Sequence, residues 1–425
     1  MAEDVLTLQQ PTGEGGVEIV NFFNGRLLSG GDLGREQIAR RRADARLGEA
    51  FGDGVAFGFD VTVSPSPDEP LPILEISAGL AINRAGSCLR LSQPRKIRLS
   101  RTDSTSFASA GCAFDECVPL SGGTYVAGEG LYMLTVAPAE IALGRAPSNG
   151  LGGIEPRCDI DRRVEAVQFR LLEIPTRLYS DLSAADSDFR NAIAYRCFGP
   201  GVRSAWATDL LGSGRRQDGV LDEMAAYGLS PLDVPLALLG FSGAATLTFV
   251  DSWAVRRPLA PADPTGQFHS LGAPRRPAVG RAMLAQFQAH FEDLRKSGLK
   301  PGDDFTARSH FRLLPPVGIL PRLTADKALE FFGDMTIRGP VHINSPTVEP
   351  LVRESLSAPA IRTASAEVVW LYAVAENLIA ATEALADDLR PDPYLIFSSA
   401  NLAYRADARF NLHRWNYANF ALGGS

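Results

Sequence analysis

The residues able to do chemistry are few and scattered. The five histidines, His269, His290, His310, His342 and His413, all lie more than five residues apart. That spacing forms no metal-binding pair on one helix face. The five cysteines are Cys88, Cys112, Cys117, Cys158 and Cys197, with no Cys-x-x-Cys among them. Cys112 and Cys117 lack the second pair or nearby histidine that a zinc site needs, and Asp115-Glu116 between them reads as a surface turn. No metal and no cofactor is therefore expected. There is no Gly-x-Ser-x-Gly nucleophile elbow, no phosphate-cradling P-loop and no His-Glu-x-x-His. The glycines of Gly25–Gly31 lack the preceding strand and the spacing of a dinucleotide loop, so they read as a tight connection into a helix. The carboxylates Asp303-Asp304, Asp387-Asp388 and Glu140 could form an acid–base pair only if the fold brought two of them together. With 49 acidic residues, neighbours of that kind arise by chance. No catalytic residue is assigned.

The elements that would position such groups follow from composition and pattern. The chain has 425 residues, 45% of them hydrophobic and 21% charged, enough for several folded domains. Its net charge of −7 gives no hint of the basic stripe of a nucleic-acid binder. No apolar run reaches the length of a membrane span, and Met1–Asp4 does not begin a secretory signal. A cytoplasmic chain with free thiols is expected, without direct membrane insertion and without a nucleic-acid partner. Four of the 42 basic residues are lysine and 38 are arginine. A GC-rich genome explains that bias, and so does a need for packed protein interfaces.

The pattern predicts an α+β chain: a β-rich N-terminal domain, sandwich- or barrel-like, after a basic helix, then mixed α/β middle and C-terminal domains. Residues 1–20 read as a flexible tail. The β-rich module spans 21–178, a mixed region 179–257, a Pro/Arg-rich linker 258–277, and an α+β domain 278–425. Asp32 reads as the N-cap of a helix running to Phe51, with a narrow apolar edge of Leu33, Ile38, Leu47 and Phe51. Arg40, Arg41, Arg42 and Arg46 give it a basic face, which is either solvated or docks an acidic partner. Alternation predicts strands over Gly54–Val63, Ile73–Ile76 continuing into Leu80–Ile82 with a bulge at Gly79, Cys88–Leu99, Thr124–Val136 and Val164–Ile174. Asp181–Phe198 and Val279–Leu299 read as helices, Val234–Gly240 and Thr246–Val250 as strands.

Three prolines and Gly318 make Leu313–Pro321 extended, as either a docking strap across a neighbouring subunit or a plain connector. Ala325–Phe332 and Val348–Leu356 read as helices, Met335–Ile343 and Tyr394–Phe397 as strands. Glu367–Ile379 fits strand at its start and helix later. The aromatic, amide-rich run Phe410–Phe420, with Trp415 and Tyr417, suits either an interface patch or a final core strand.

Several segments resemble a known group. Phe22-Phe23-Asn24-Gly25-Arg26-Leu27-Leu28, the Asp32-Leu33 helix start and Gly54–Val61 resemble an N-terminal module in proteins of phage-tail-like clusters, including extracellular contractile injection systems. Ser77–Asn83 followed by Gly86 is similar to a strand end in that module, with Asn83 where aspartate is common. Asp233–Leu239, Phe249–Arg257 and Leu314–Pro321 look similar to the same proteins. The layout also resembles the type VI secretion baseplate family that joins the wedges to the membrane complex. That family has a β-rich shoulder, a helical neck and a C-terminal head, and it trimerises.

The resemblance implies a non-enzymatic structural or adaptor subunit of a contractile phage-tail-like injection particle, at the baseplate periphery or at a cap or anchoring end. Its partners would be other particle subunits, with further copies of itself in a homo-oligomer. Arg40, Arg41, Arg42, Trp415 and Tyr417 are the candidate interface residues. The alternatives are a receptor- or glycan-binding tip protein of the same kind of particle and a carbohydrate-active enzyme.

Overall fold

The computed structural model describes residues 16–64, 72–99, 129–147, 158–199, 218–242, 246–261, 275–321, 323–343, 345–374 and 394–400. Within them the chain is α+β, and an N-terminal helix, α1 (Gly30–Phe51), precedes the strands. Three stretches expected to be continuous strands are each broken in two. They give β1 (Gly54–Gly58) and β2 (Val61–Ser64), β3 (Ile73–Ile76) and β4 (Gly79–Ile82), β5 (Cys88–Leu91) and β6 (Arg95–Arg98). The halves sort into two antiparallel sheets, in the orders β1-β4-β5 and β2-β3-β6.

The breaks have local causes. Gly58 and Phe59 carry positive φ (63° and 57°), a bend that stops the ladder. Pro94, just before β6, has no N–H to give. The buried Arg256 fills the first bend, donating to the carbonyls of Gly58 (2.6 Å) and Phe59 (3.3 Å) and pairing with Asp60. Gly79 is not a bulge: it lies opposite Gly58, and the irregularity falls on β1 between Val55 and Phe57.

β7 (Gly130–Pro147) and β8 (Cys158–Ile174) form a hairpin in register from Leu131↔Ile174 to Pro147↔Cys158. β9 (Val234–Phe241) pairs with β7, and β10 (Leu247–Asp251) completes the order β10-β9-β7-β8. Side chains alternate across this sheet. Tyr132, Leu134 and Val136 share a core with Val55, Leu74, Ile76 and Leu89 of the bent strands. Leu131 and Met133 face a helical layer instead. That layer holds α2 (Phe189–Phe198), α3 (Val220–Glu223), α4 (Ser252–Val255) and the first half of α5 (Arg275–Lys296). α2 starts eight residues later than expected: 181–188 forms turns, with Leu182 still buried.

The second half of α5 enters another core. There, α6 (Ala307–His310), β11 (Leu313–Leu314), β12 (Val317–Pro321), α7 (Ala325–Phe332), β13 (Thr336–Ile343), α8 (Ser345–Ser355), β14 (Ile361–Arg362), β15 (Val368–Val374) and β16 (Tyr394–Ser398) follow in chain order. The four-stranded sheet runs β12-β16-β15-β13, with β13 and β15 parallel. Phe287 and Phe291 pack there with Phe305, Phe311, Phe331 and Phe397. The Leu313–Pro321 stretch is neither a free strap nor a plain connector. It forms β11 and β12, with Leu314, Val317 and Leu320 buried in the chain's own core. Glu367–Ile379 is strand over Val368–Val374. No helix among the described residues is long and apolar enough to cross a membrane.

Candidate protein interface

α1 is fixed at its start by reciprocal hydrogen bonds. The N-cap is Ser29, not Asp32: Ser29 has extended backbone angles and its Oγ accepts from the Asp32 N–H (3.1 Å). The Asp32 carboxylate in return accepts from the Ser29 N–H (3.0 Å) and hydroxyl (2.7 Å), closing a capping box. Arg26 (2.7 Å) and Arg35 (2.8 Å) also bind this carboxylate. The Ser29 hydrogen bonds, and the Arg26 guanidinium after them, hold the Asp32 carboxyl well below the usual carboxylate range. Arg26 donates to the Asn21 carbonyl as well, tying the segment before the helix to its first turn.

The face of α1 that packs shares only Ile38 with the expected apolar edge. At 3.6 residues per turn, Gly34, Ile38, Arg41, Ala45 and Gly48 form one stripe, and this stripe is the less exposed one. It rests on the 84–86 turn. A Cβ on Gly48 would stand 2.0 Å from the Gly86 carbonyl oxygen, and one on Gly86 (φ +77°) 1.9 Å from that of Ala45. Glycine lets the two backbones meet. Arg41 anchors the same side through Glu140 (2.9 Å), whose other oxygen meets Arg163 (3.4 Å). Leu33, Leu47 and Phe51 stay 52%, 63% and 66% exposed. Phe22, Phe23, Leu27, Leu28 and Phe57 are exposed around the same module. The exposed apolar run Phe22, Phe23, Leu27 and Leu28 is a candidate interaction surface.

The three consecutive arginines fall on three different faces, because successive helical residues are about 100° apart. Arg41 is spent inside the chain. Arg40 lies on the exposed stripe Leu33, Gln37, Arg40, Asp44, Leu47 and Phe51. Arg42 is exposed on the far side, near Arg35 and Arg46. Trp415 and Tyr417, like the rest of Phe410–Phe420, lie outside the described residues, as do Cys112, Cys117 and Asp387-Asp388. Of the expected apolar edge Leu33, Ile38, Leu47 and Phe51, only Ile38 lies on the packed stripe, and the other three share the exposed one with Gln37 and Asp44. The signal that separates the two stripes is Gly48, where the absence of a side chain lets another backbone come close.

Other charged groups are tied into the framework. Buried Asp233 meets Arg170, the Thr135 hydroxyl (2.7 Å) and the Ser230 N–H (2.8 Å). Buried Asp251 caps α4 through the Ala254 N–H and accepts from Arg190 and Gln286. Asn83 is buried and closes its own turn, accepting from the N–H groups of Ala85 and Ser87 and donating to the Leu232 carbonyl. Asp303 pairs with Lys327, and Asp304 accepts from the Lys300 N–H.

Glu140 stands opposite Glu165 across the β7–β8 hairpin, and both line a cleft of ≈ 290 Å³ with Asp44 and Cys88. Of the carboxylates singled out in the sequence, Glu140 is the one the fold sets opposite another across a sheet. Both oxygens of Glu140 are occupied by guanidinium groups, an arrangement that suits bracing better than proton transfer. Among the described residues, no three His, Cys, Asp or Glu side chains are grouped to hold a metal ion. No protein-family model matches the chain, and no curated protein matches it.

Proposed function

We propose that the chain is a non-enzymatic structural or adaptor subunit of a contractile phage-tail-like injection particle, acting through protein–protein interfaces at the baseplate periphery or at a cap or anchoring end. The observation that supports it is the N-terminal module. Its exposed Phe22, Phe23, Leu27 and Leu28 belong to the very segment that resembles proteins of such clusters, and the basic far side of α1 adjoins it. An exposed apolar surface beside arginines suits docking on a partner with apolar and acidic groups.

The test is particle assembly in the native host. Deleting the gene is expected to leave incomplete or unanchored particles by electron microscopy, and the protein is expected to co-purify with intact ones. Arg42→Glu, on the far side of α1, is expected to lower its incorporation several-fold. Particles that assemble and function normally without the protein would overturn the reading.

A further inference from the structure

We propose that this chain pairs with a second copy of itself through an antiparallel seam between the two α1 helices. The exposed stripe Leu33, Gln37, Arg40, Asp44, Leu47 and Phe51 has spacings of 4, 3, 4, 3 and 4 residues. That is the alternation of a helix-pairing seam. The stripe is symmetric about residue 42. When a second α1 runs antiparallel about a two-fold axis at that level, Leu33 shares a layer with Phe51 of the other copy, and Gln37 with Leu47. Arg40 shares a layer with Asp44. Every layer occurs twice, as an isologous interface requires.

The central layers decide the occupant. Neither the Arg40 nor the Asp44 side chain has an ion-pair or hydrogen-bond partner among the described residues. Each is exposed, and each is the complement the other needs across the axis. The outermost layers put exposed Leu33 against exposed Phe51, and the layers between put Leu47 against the Gln37 side chain. A parallel pair would instead stack Arg40 on Arg40 and Asp44 on Asp44. The two helices, each about 33 Å long at 1.5 Å per residue, present a narrow contact, so the pairing is a weak, concentration-dependent one. It goes beyond the particle reading and does not rest on it, since its readout is the purified chain alone.

The experiment is sedimentation velocity on the full chain from about 1 to about 200 μM, a range that spans micromolar dissociation constants. A reversible monomer–dimer equilibrium is expected. Arg40→Glu places Glu opposite Asp44, and Asp44→Arg places Arg opposite Arg40. Each is expected to weaken the dimer about tenfold through its two symmetric contacts. An equimolar mixture of the two variants, and the double variant Arg40→Glu/Asp44→Arg, are both expected to recover it. Leu47→Gln, which alters no charge, should weaken the dimer as well. Unchanged far-ultraviolet circular dichroism shows that these exposed substitutions keep the fold. A chain that stays monomeric throughout overturns the pairing and leaves the stripe to another protein. So does an oligomer indifferent to the single variants, or a double variant no better than either single.

Discussion

His290 illustrates how much a single side chain depends on its surroundings. It is 5% exposed on α5, against the Phe311 ring (centroids 4.9 Å apart), and its Nδ1 has no hydrogen-bond partner among the described residues. Burial first, then the nearby charges of Arg190 and His310, push its pKa well below 6.5. The folded state therefore holds the ring neutral, while the unfolded chain takes up a proton below 6.5. Stability is full above that pH and falls as the pH drops below it, by at most ~1.4 kcal/mol per pH unit. His290→Gln is expected to flatten this acid limb. Denaturant titrations at a series of pH values on both proteins check it, and an unchanged slope would count against the assignment. Nothing in the residue order around His290 shows this. The proximity of Arg190, a hundred residues earlier, comes from packing α2 on α5.

At the scale of elements, close backbone contact decides where α1 sits. Gly48 and Gly86 let the helix rest on the turn after β4. Gly48→Ala places a methyl group on a carbonyl that cannot move without shifting the turn, and overpacking of this kind costs about 1–3 kcal/mol. The expected result is a lower thermal midpoint and faster amide exchange along 30–51, with the distant C-terminal sheet little changed. Ala45→Gly is the control: it loses helix propensity, about 1 kcal/mol, and a half-buried methyl group, and it introduces no clash. Equal exchange patterns in the two variants would contradict the glycine contact. The helix itself was legible from Asp32 and the run of charges. Its packed face was not, because apolar periodicity normally marks the buried side and here Leu33, Leu47 and Phe51 point outward. The bent strands show a similar limit. Alternation marked each stretch as strand, but whether it stayed in one sheet depended on bends at Gly58-Phe59 and before Pro94, and on Arg256 arriving from two hundred residues away.

For the whole molecule, α5 is the connecting piece. Ala282 and Met283 belong to the core under the four-stranded β7–β10 sheet, and Phe287 and Phe291 to the aromatic core of the C-terminal sheet. Phe287 is fully buried and touches Phe311 and Phe397. Phe287→Ala is expected to cost about 3–5 kcal/mol. Because one helix serves both cores, hydrogen exchange is expected to rise in β9 and β16 alike. A loss of protection confined to the C-terminal sheet would show that the two cores respond separately.

Residue types and spacing by themselves determined the α+β class, most element positions, the absence of recognisable catalytic motifs and the presence of an arginine-rich N-terminal helix. These are local properties, set by backbone preference and by periodicities of two and 3.6. The tertiary structure alone decided that Arg41 is committed to Glu140, that Leu313–Pro321 is internal, and that Leu33, Leu47 and Phe51 remain on the surface. Those outcomes depend on which distant segment arrives to cover a side chain. A pattern confined to neighbouring residues contains no record of that.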